Sequence, residues 1–247
     1  MTDPAELSPP PPLADLAARG PVALFVDFDG TLIDIAPTPQ GIAVPETLAK
    51  DIARLSDRLG GRLAIVSGRS IDDLERHLGP MAVACAGSHG ASRRLADGTM
   101  LGAEADEFPL VVADEVAAFA AANGVDYERK IHGAALHSRL MPSMEVRCAI
   151  FLDELAERHS LDVKRGKMVA ELVRPGADKG SAVRAFAAVA PFAGAQSVFI
   201  GDDVTDEDGF AACEAIGGFG IAVGSRDTAN ARYALADPDA VYQWLGL

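Results

Sequence analysis

Two acidic clusters carry the chemistry that this chain could do. The first is Asp27-Phe28-Asp29-Gly30-Thr31, which ends the apolar run beginning at Val22. Carboxylates two positions apart project to one side if strand geometry persists. At the carboxyl edge of a parallel sheet they would stand where open α/β folds bind ligands. Burying two acids there is costly unless a cation or hydrogen bonds satisfy them, and hard oxygen donors suit magnesium. Gly30 allows a sharp turn after the strand. The second cluster is Asp202-Asp203 after Phe199-Ile200-Gly201, followed by Thr205-Asp206-Glu207-Asp208. One aspartate at a strand end reads as a helix N-cap, a role that suits Thr205 or Asp206. Two acidic strand ends aimed at one edge point instead to a shared metal site.

Ser67 and Lys179 add to these acids. Ser67 opens a Ser-Gly-Arg turn in which a hydroxyl and backbone N–H groups can meet an oxyanion. Lys179 follows Asp178 at the start of a helical segment. A lysine is exposed by default, but the dipole at a helix start favours anions. An anion held between that N-terminus and the ammonium would remove the conflict.

The elements that must position these residues alternate. Buried strands are expected at Val22–Phe28, Leu63–Val66 and Met81–Ala86, with helices over 48–59 and 71–78. This rhythm predicts a Rossmann-like, doubly wound parallel sheet with helices on both faces. From Val111 the pattern becomes helix, two strands, helix, two strands, which predicts a small α+β unit. After Lys179 the first rhythm returns. The expected organisation is therefore a core over 20–95 and 177–247, interrupted by an α+β cap over 96–176. Residues 1–19, with the run Pro9–Pro12, read as a disordered or loosely attached tail.

Bulk properties exclude other classes. With 247 residues, 49% hydrophobic and 23% charged, the chain can bury a sizeable core. A formal charge of −14 argues against nucleic acid and anionic membrane as partners. A phosphate-ester substrate would need local positive charge against this field. Cys85, Cys148 and Cys213 have no metal or disulfide spacing, which suits a reducing cytoplasm. His77, His132 and His159 are isolated, so no histidine metal site is expected.

Asp-Phe-Asp-Gly-Thr, Ser67, Lys179 and Gly-Asp-Asp resemble the four motifs of the haloacid dehalogenase-like phosphatases. Ser67-Gly68-Arg69, Gly87-Ser88-His89-Gly90, Glu171-Leu172-Val173-Arg174-Pro175 and Gly201-Asp202-Asp203-Val204-Thr205-Asp206-Glu207 resemble the trehalose-6-phosphate phosphatase family within that superfamily. The resemblance covers about residues 20–245. It implies a cytoplasmic phosphatase, expected as a monomer, that uses magnesium on a small sugar phosphate.

It also implies roles. Asp27 would be the nucleophile and Asp29 the acid and then the base. Magnesium would be held by Asp27, the Asp29 backbone carbonyl and Asp202. Thr31, Asp203 and Asp206 would support that set, and Ser67 and Lys179 would hold phosphoryl oxygens. Arg69, His89, Lys130, His137, Arg139, Lys167 and Glu171 would serve the sugar. The family's usual His-Tyr-Arg is His137-Ser138-Arg139 here, so that aromatic contact is lost. Two alternatives stand beside this reading. One is a phosphatase of the same scaffold for sucrose phosphate or a mannosyl phosphate. The other is a phosphosugar sensor that binds without hydrolysis, against which the complete motif set argues.

Overall fold

The computed structural model describes residues 2, 4–36, 41–102, 107–166 and 168–247. It divides into two compact units, Met1–Glu104 with Asp178–Leu247, and Ala105–Ala177. The first unit opens with α1 (Leu13–Arg19), β1 (Val22–Val26), α2 (Leu48–Arg58), β2 (Leu63–Val66), α3 (Ile71–Leu78), β3 (Ala84–Gly87) and β4 (Ser92–Arg94). The second holds α4 (Leu110–Asn123), β5 (Asp126–Arg129), β6 (Gly133–His137), α5 (Glu145–His159), β7 (Asp162–Gly166) and β8 (Val169–Val173). The first unit resumes with α6 (Lys179–Ala187), β9 (Gln196–Gly201), α7 (Glu207–Ala215), β10 (Phe219–Val223), β11 (Ala231–Leu235) and α8 (Pro238–Leu245).

The large sheet runs β11-β10-β9-β1-β2-β3-β4. All pairs are parallel except β3 with β4. Its central strands are apolar throughout because both faces are buried. Val22, Leu24 and Val26 feed one core with Val198, Ile200 and Ile65. Ala23 and Phe25 feed the other with Phe186, Phe199 and Phe210. This is the doubly wound sheet that the periodicity predicts. Successive strands run outward from β1 in one direction through β2 and β3, and in the other through β9 and β10. The carboxyl ends of β1 and β9 therefore flank the point where strand order reverses, where such folds form a ligand crevice.

The smaller unit has the antiparallel sheet β5-β6-β8-β7. Ala134, Leu136 and Leu172 pack with Val112, Val116, Leu152 and Leu155 of its two helices. The alternation of a one-sided sheet leaves the other face to Glu128, Ala135, His137 and Glu171.

Two boundaries differ from the sequence expectation. The division between units falls at 104/105 rather than at 96. Leu95 and Leu101 pack on the core beside Phe25 and Phe199, and Arg94 bridges to Met100, which keeps this stretch with the larger unit. The segment before β1 is a correction, for it is not a loose tail. Leu13 and Leu16 lie one turn apart and are both buried against the core. Prolines lack N–H groups but still accept, and the Pro11 carbonyl takes the Trp244 indole N–H at 2.9 Å. Ser8 accepts from Ala234 N at 3.2 Å, and Thr2 and Thr228 exchange backbone bonds. Strand β11 and helix α8, which anchor this segment, were also unexpected.

Because Leu16 is core and not tail, Leu16→Ala should lower unfolding free energy by about 2–4 kcal/mol. Urea denaturation of the full chain measures this, and a shift under 0.5 kcal/mol would return the segment to a passive role.

Candidate active site

Strand β1 stops at Val26, but the Asp27 amide continues its ladder by donating to Ile200 O at 2.9 Å. The Asp27 carboxylate is thereby fixed beside the end of β9, where Asp202 follows Gly201. It is buried, and its Oδ1 lies 2.8 Å from Lys179 Nζ. The same ammonium donates to Asp206 Oδ1 at 2.7 Å. Lys179 is only 2% exposed, so the default of a surface lysine does not hold. It sits in the first turn of α6, whose N-cap Asp178 accepts from Ser181 N.

Three carboxylates, from Asp27, Asp202 and Asp206, gather so that one oxygen of each lies within 4.8 Å of the others. Against them stands one ammonium, so full ionisation would leave two uncompensated negative charges in a buried space. Burial pushes the Asp27 carboxyl well up, against the pull of Lys179. Burial and the neighbouring Asp206 push the Asp202 carboxyl up to about 7. Burial also raises Asp206, again opposed by Lys179. Lys179 moves up as well. Burial acts to lower it, and the two carboxylates outweigh that effect.

The set fits a hard divalent cation. All donors are carboxylate oxygens, and Asp202 Oδ1 is buried without a hydrogen-bond partner among the described residues. Gly30 is required by the same approach. Its φ is +79°, and a Cβ there would stand 2.2 Å from Asp202 Oδ2. Asp206 was expected at one remove from the metal, and it lies in the cluster itself. Each of its oxygens accepts one hydrogen bond, Oδ1 from Lys179 and Oδ2 from Asp203 N at 2.8 Å.

Of the two N-cap candidates, Asp206 rather than Thr205 stands at the N-cap position of α7. The short 3-10 turn Val204–Asp206 before it opens with a capping box between Asp203 and Asp206.

Asp29 does not share the partners of Asp27. The chain turns at once after β1, with Leu32 N bonded to Phe28 O. Both Asp29 oxygens are held by Arg69, at 2.6 Å from Nε and 2.8 Å from Nη2. Arg69 also reaches Asp73 Oδ2 at 2.7 Å and lies over the Phe28 ring at 5.9 Å. Ser67 is buried after β2, on the same sheet edge, and its Oγ accepts from Arg69 N at 3.1 Å. The loop after β3 braces this turn, as Ser88 N donates to Arg69 O and His89 N to Ser67 O. The His89 ring packs so close to Gly68 that a Cβ there would stand 2.6 Å from Cε1. Thr31 is fully buried, and its hydroxyl has no partner among the described residues.

In the smaller unit, Lys130 and the buried Glu171 pair at 2.5 Å, and His137 Nε2 lies 3.0 Å from Glu128 Oε2. These four residues share the sheet face away from the helices. Arg139 is half-buried in the turn after β6. Ser138, in place of the family's tyrosine, is buried and donates its hydroxyl to Met168 O at 3.2 Å. Lys167 lies outside the described residues. Sequence reading missed Glu128, Asp73 and Arg226. Strand alternation from Lys130 would have found Glu128, and helical spacing from Arg69 would have found Asp73, but Arg226 carries no local signal.

Two acidic loops and a buried lysine thus meet at one edge of the doubly wound sheet. The fold is shared by a solved phosphatase of the haloalkanoate (HAD) enzyme superfamily, 17% identical with a TM-score of 0.58 over 92% of this chain and 93% of that one. More specific likenesses follow. A family model described as trehalose-phosphatase matches residues 25–239. A probable trehalose-phosphate phosphatase of Sinorhizobium fredii is 42% identical over 82% of this chain and 77% of its own length. The trehalose-6-phosphate phosphatase of Escherichia coli is 33% identical over 99% of this chain and 90% of its own. A solved trehalose-6-phosphate phosphatase related protein is 28% identical, with a TM-score of 0.74 over 91% of this chain and 95% of that one. The chain belongs to the trehalose-phosphatase family.

The raised Asp202 carboxyl sets a pH dependence. A cation needs the ionised form, and below about pH 7 the proton competes for it. Magnesium affinity of the full chain should fall up to tenfold per pH unit from 7 to 5. Calorimetry in buffers of different ionisation enthalpy should register proton release near pH 6. Affinity flat across that range would overturn the assignment of Asp202 to the cation.

Proposed function

We propose that this chain hydrolyses trehalose 6-phosphate to trehalose and phosphate through an aspartyl-phosphate on Asp27. The observation that carries this reading is the buried Asp27–Lys179–Asp206 bridge beside the unpartnered oxygen of Asp202. That bridge orients one carboxylate oxygen of Asp27 and leaves the other to attack phosphorus. The Lys179 ammonium supplies the local positive charge that the acidic surface requires, and Ser67 offers a hydroxyl on the same sheet edge.

Magnesium would be held by Asp27, Asp202 and the Asp29 carbonyl. It would neutralise phosphoryl oxygens and the excess charge of the carboxylates. Asp206 supports the set through its bonds to Lys179 and the Asp203 amide. Asp29 protonates the departing sugar oxygen and later takes a proton from water. Its two bonds to Arg69 hold that carboxylate in place.

Sugar recognition falls to the sheet face of the smaller unit away from its helices, where Lys130, Glu171 and His137 carry charged and polar groups, with Arg139 and Lys167 nearby in sequence. Arg69 and His89 act by holding Asp29 and the Ser67 turn. No helix among the described residues is long and apolar enough to cross a membrane, and we favour a monomer in the cytoplasm, where the three free thiols would stay reduced.

Phosphate release with magnesium tests this reading. Asp27→Asn should abolish it, and Asp29→Asn should slow it by about 10²–10⁴. Trehalose 6-phosphate should turn over with a kcat/KM well above that for glucose 6-phosphate or sucrose phosphate. Lys130→Ala and Glu171→Ala should narrow that preference by raising KM with less change in kcat. Equal kcat/KM for all three esters would move the chain to another sugar phosphate. Undiminished turnover by Asp27→Asn would remove the covalent route.

A further inference from the structure

Glu207 closes the acidic motif, yet it touches none of the reacting groups. Its carboxylate is spent elsewhere. Oε2 accepts from Asn230 N at 2.9 Å, Asn230 Nδ2 at 3.1 Å and Ala229 N at 3.2 Å. Oε1 pairs with Arg226 at 2.8 Å. Arg226 in turn donates from Nε to Asp202 O at 3.2 Å and from Nη2 to Asp203 O at 3.0 Å. One planar guanidinium thus binds the two backbone carbonyls that carry the acid pair, while Glu207 fixes its plane from the start of α7. The loop that carries Arg226 is itself tied down. Thr228 exchanges backbone bonds with Thr2, and its hydroxyl accepts from Ala231 N.

We propose that Arg226, oriented by Glu207, is a positioning residue that sets the Asp202 carboxylate for the divalent cation. The inference rests on the reading that Asp202 binds that cation. Asp203 and Asp206 both repel the Asp202 charge. Without restraint the turn would relax by swinging Asp202 outward to water. Arg226 opposes this in two ways: its bonds fix the carbonyls, and its charge lies against the same loop. Lysine cannot replace it, because a single ammonium lacks the flat fork that spans two carbonyls and a carboxylate.

The test is calorimetric titration of chelator-treated full-length protein with magnesium, alongside thermal unfolding without metal. Arg226→Ala should weaken magnesium binding about 10–100-fold. KM for the sugar phosphate at saturating metal should change less than twofold, and metal-free melting should stay close to the parent's. Arg226→Lys should recover only part of the loss. If Arg226→Ala does not fold, Glu207→Gln, which keeps shape but removes the charge, should show a several-fold weakening. Affinity lost in Asp202→Asn yet within twofold of the parent in Arg226→Ala and Glu207→Gln would overturn the clamp alone. Affinity unchanged in all of these variants would overturn the cation reading and the clamp together.

Discussion

A buried ammonium shared by two buried carboxylates constrains everything else at this sheet edge. Lys179 comes from α6, Asp27 from the end of β1, and Asp206 from the loop after β9. Each would be costly to bury alone, and removing the ammonium would leave both carboxylates uncompensated. The bridge therefore fastens three segments distant in sequence to one point. It can do so only because the sheet order makes β1 and β9 neighbours, with Val26 opposite Ile200. It also leaves a charge imbalance, since Asp202 adds a third carboxylate. A protein with a net charge of −14 can hold a phosphate ester only where such an imbalance is cancelled locally. A divalent cation together with Lys179 does this with the fewest groups.

Close approach is the second constraint, and it explains two glycines. Gly30 lies where a Cβ would collide with the Asp202 carboxylate, and Gly201 where one would stand 2.2 Å from the Asp206 carboxyl carbon. Asp202 passes over the backbone of the loop after β1, and Asp206 folds back over the end of its own strand, β9. A methyl group at either position would push the carboxylates apart and open the bridge.

Much of this was legible in the residues themselves. Asp27, Asp202 and Lys179 were readable because acids at strand ends and a lysine at a helix start violate the ordinary preferences of those places. The doubly wound sheet followed from strands apolar at every position. What was not legible depended on contacts across the chain. Nothing near Asp29 indicates that Arg69 will occupy both its oxygens, because that pair joins the turns after β1 and β2. The contact of Glu128 with His137 depends on the register of β5 against β6. Leu13 and Leu16 were hidden by the prolines before them. Their burial depends on α8 and β11, whose own formation the local pattern did not announce.

The acidic loop after β9 must be both dense in negative charge and rigid, and these demands conflict. Repulsion between Asp202, Asp203 and Asp206 favours an open, hydrated turn. The fold answers with restraints that each engage a different atom: a capping box on the Asp203 amide, Lys179 on an Asp206 oxygen, and Arg226 on the Asp202 and Asp203 carbonyls. Of this loop's carboxylates, that of Asp202 keeps a buried oxygen without a hydrogen-bond partner among the described residues. A cation arriving there meets a loop already ordered, so little of its binding energy is lost to fixing the chain. The repulsion stored by that ordering becomes attraction for the cation.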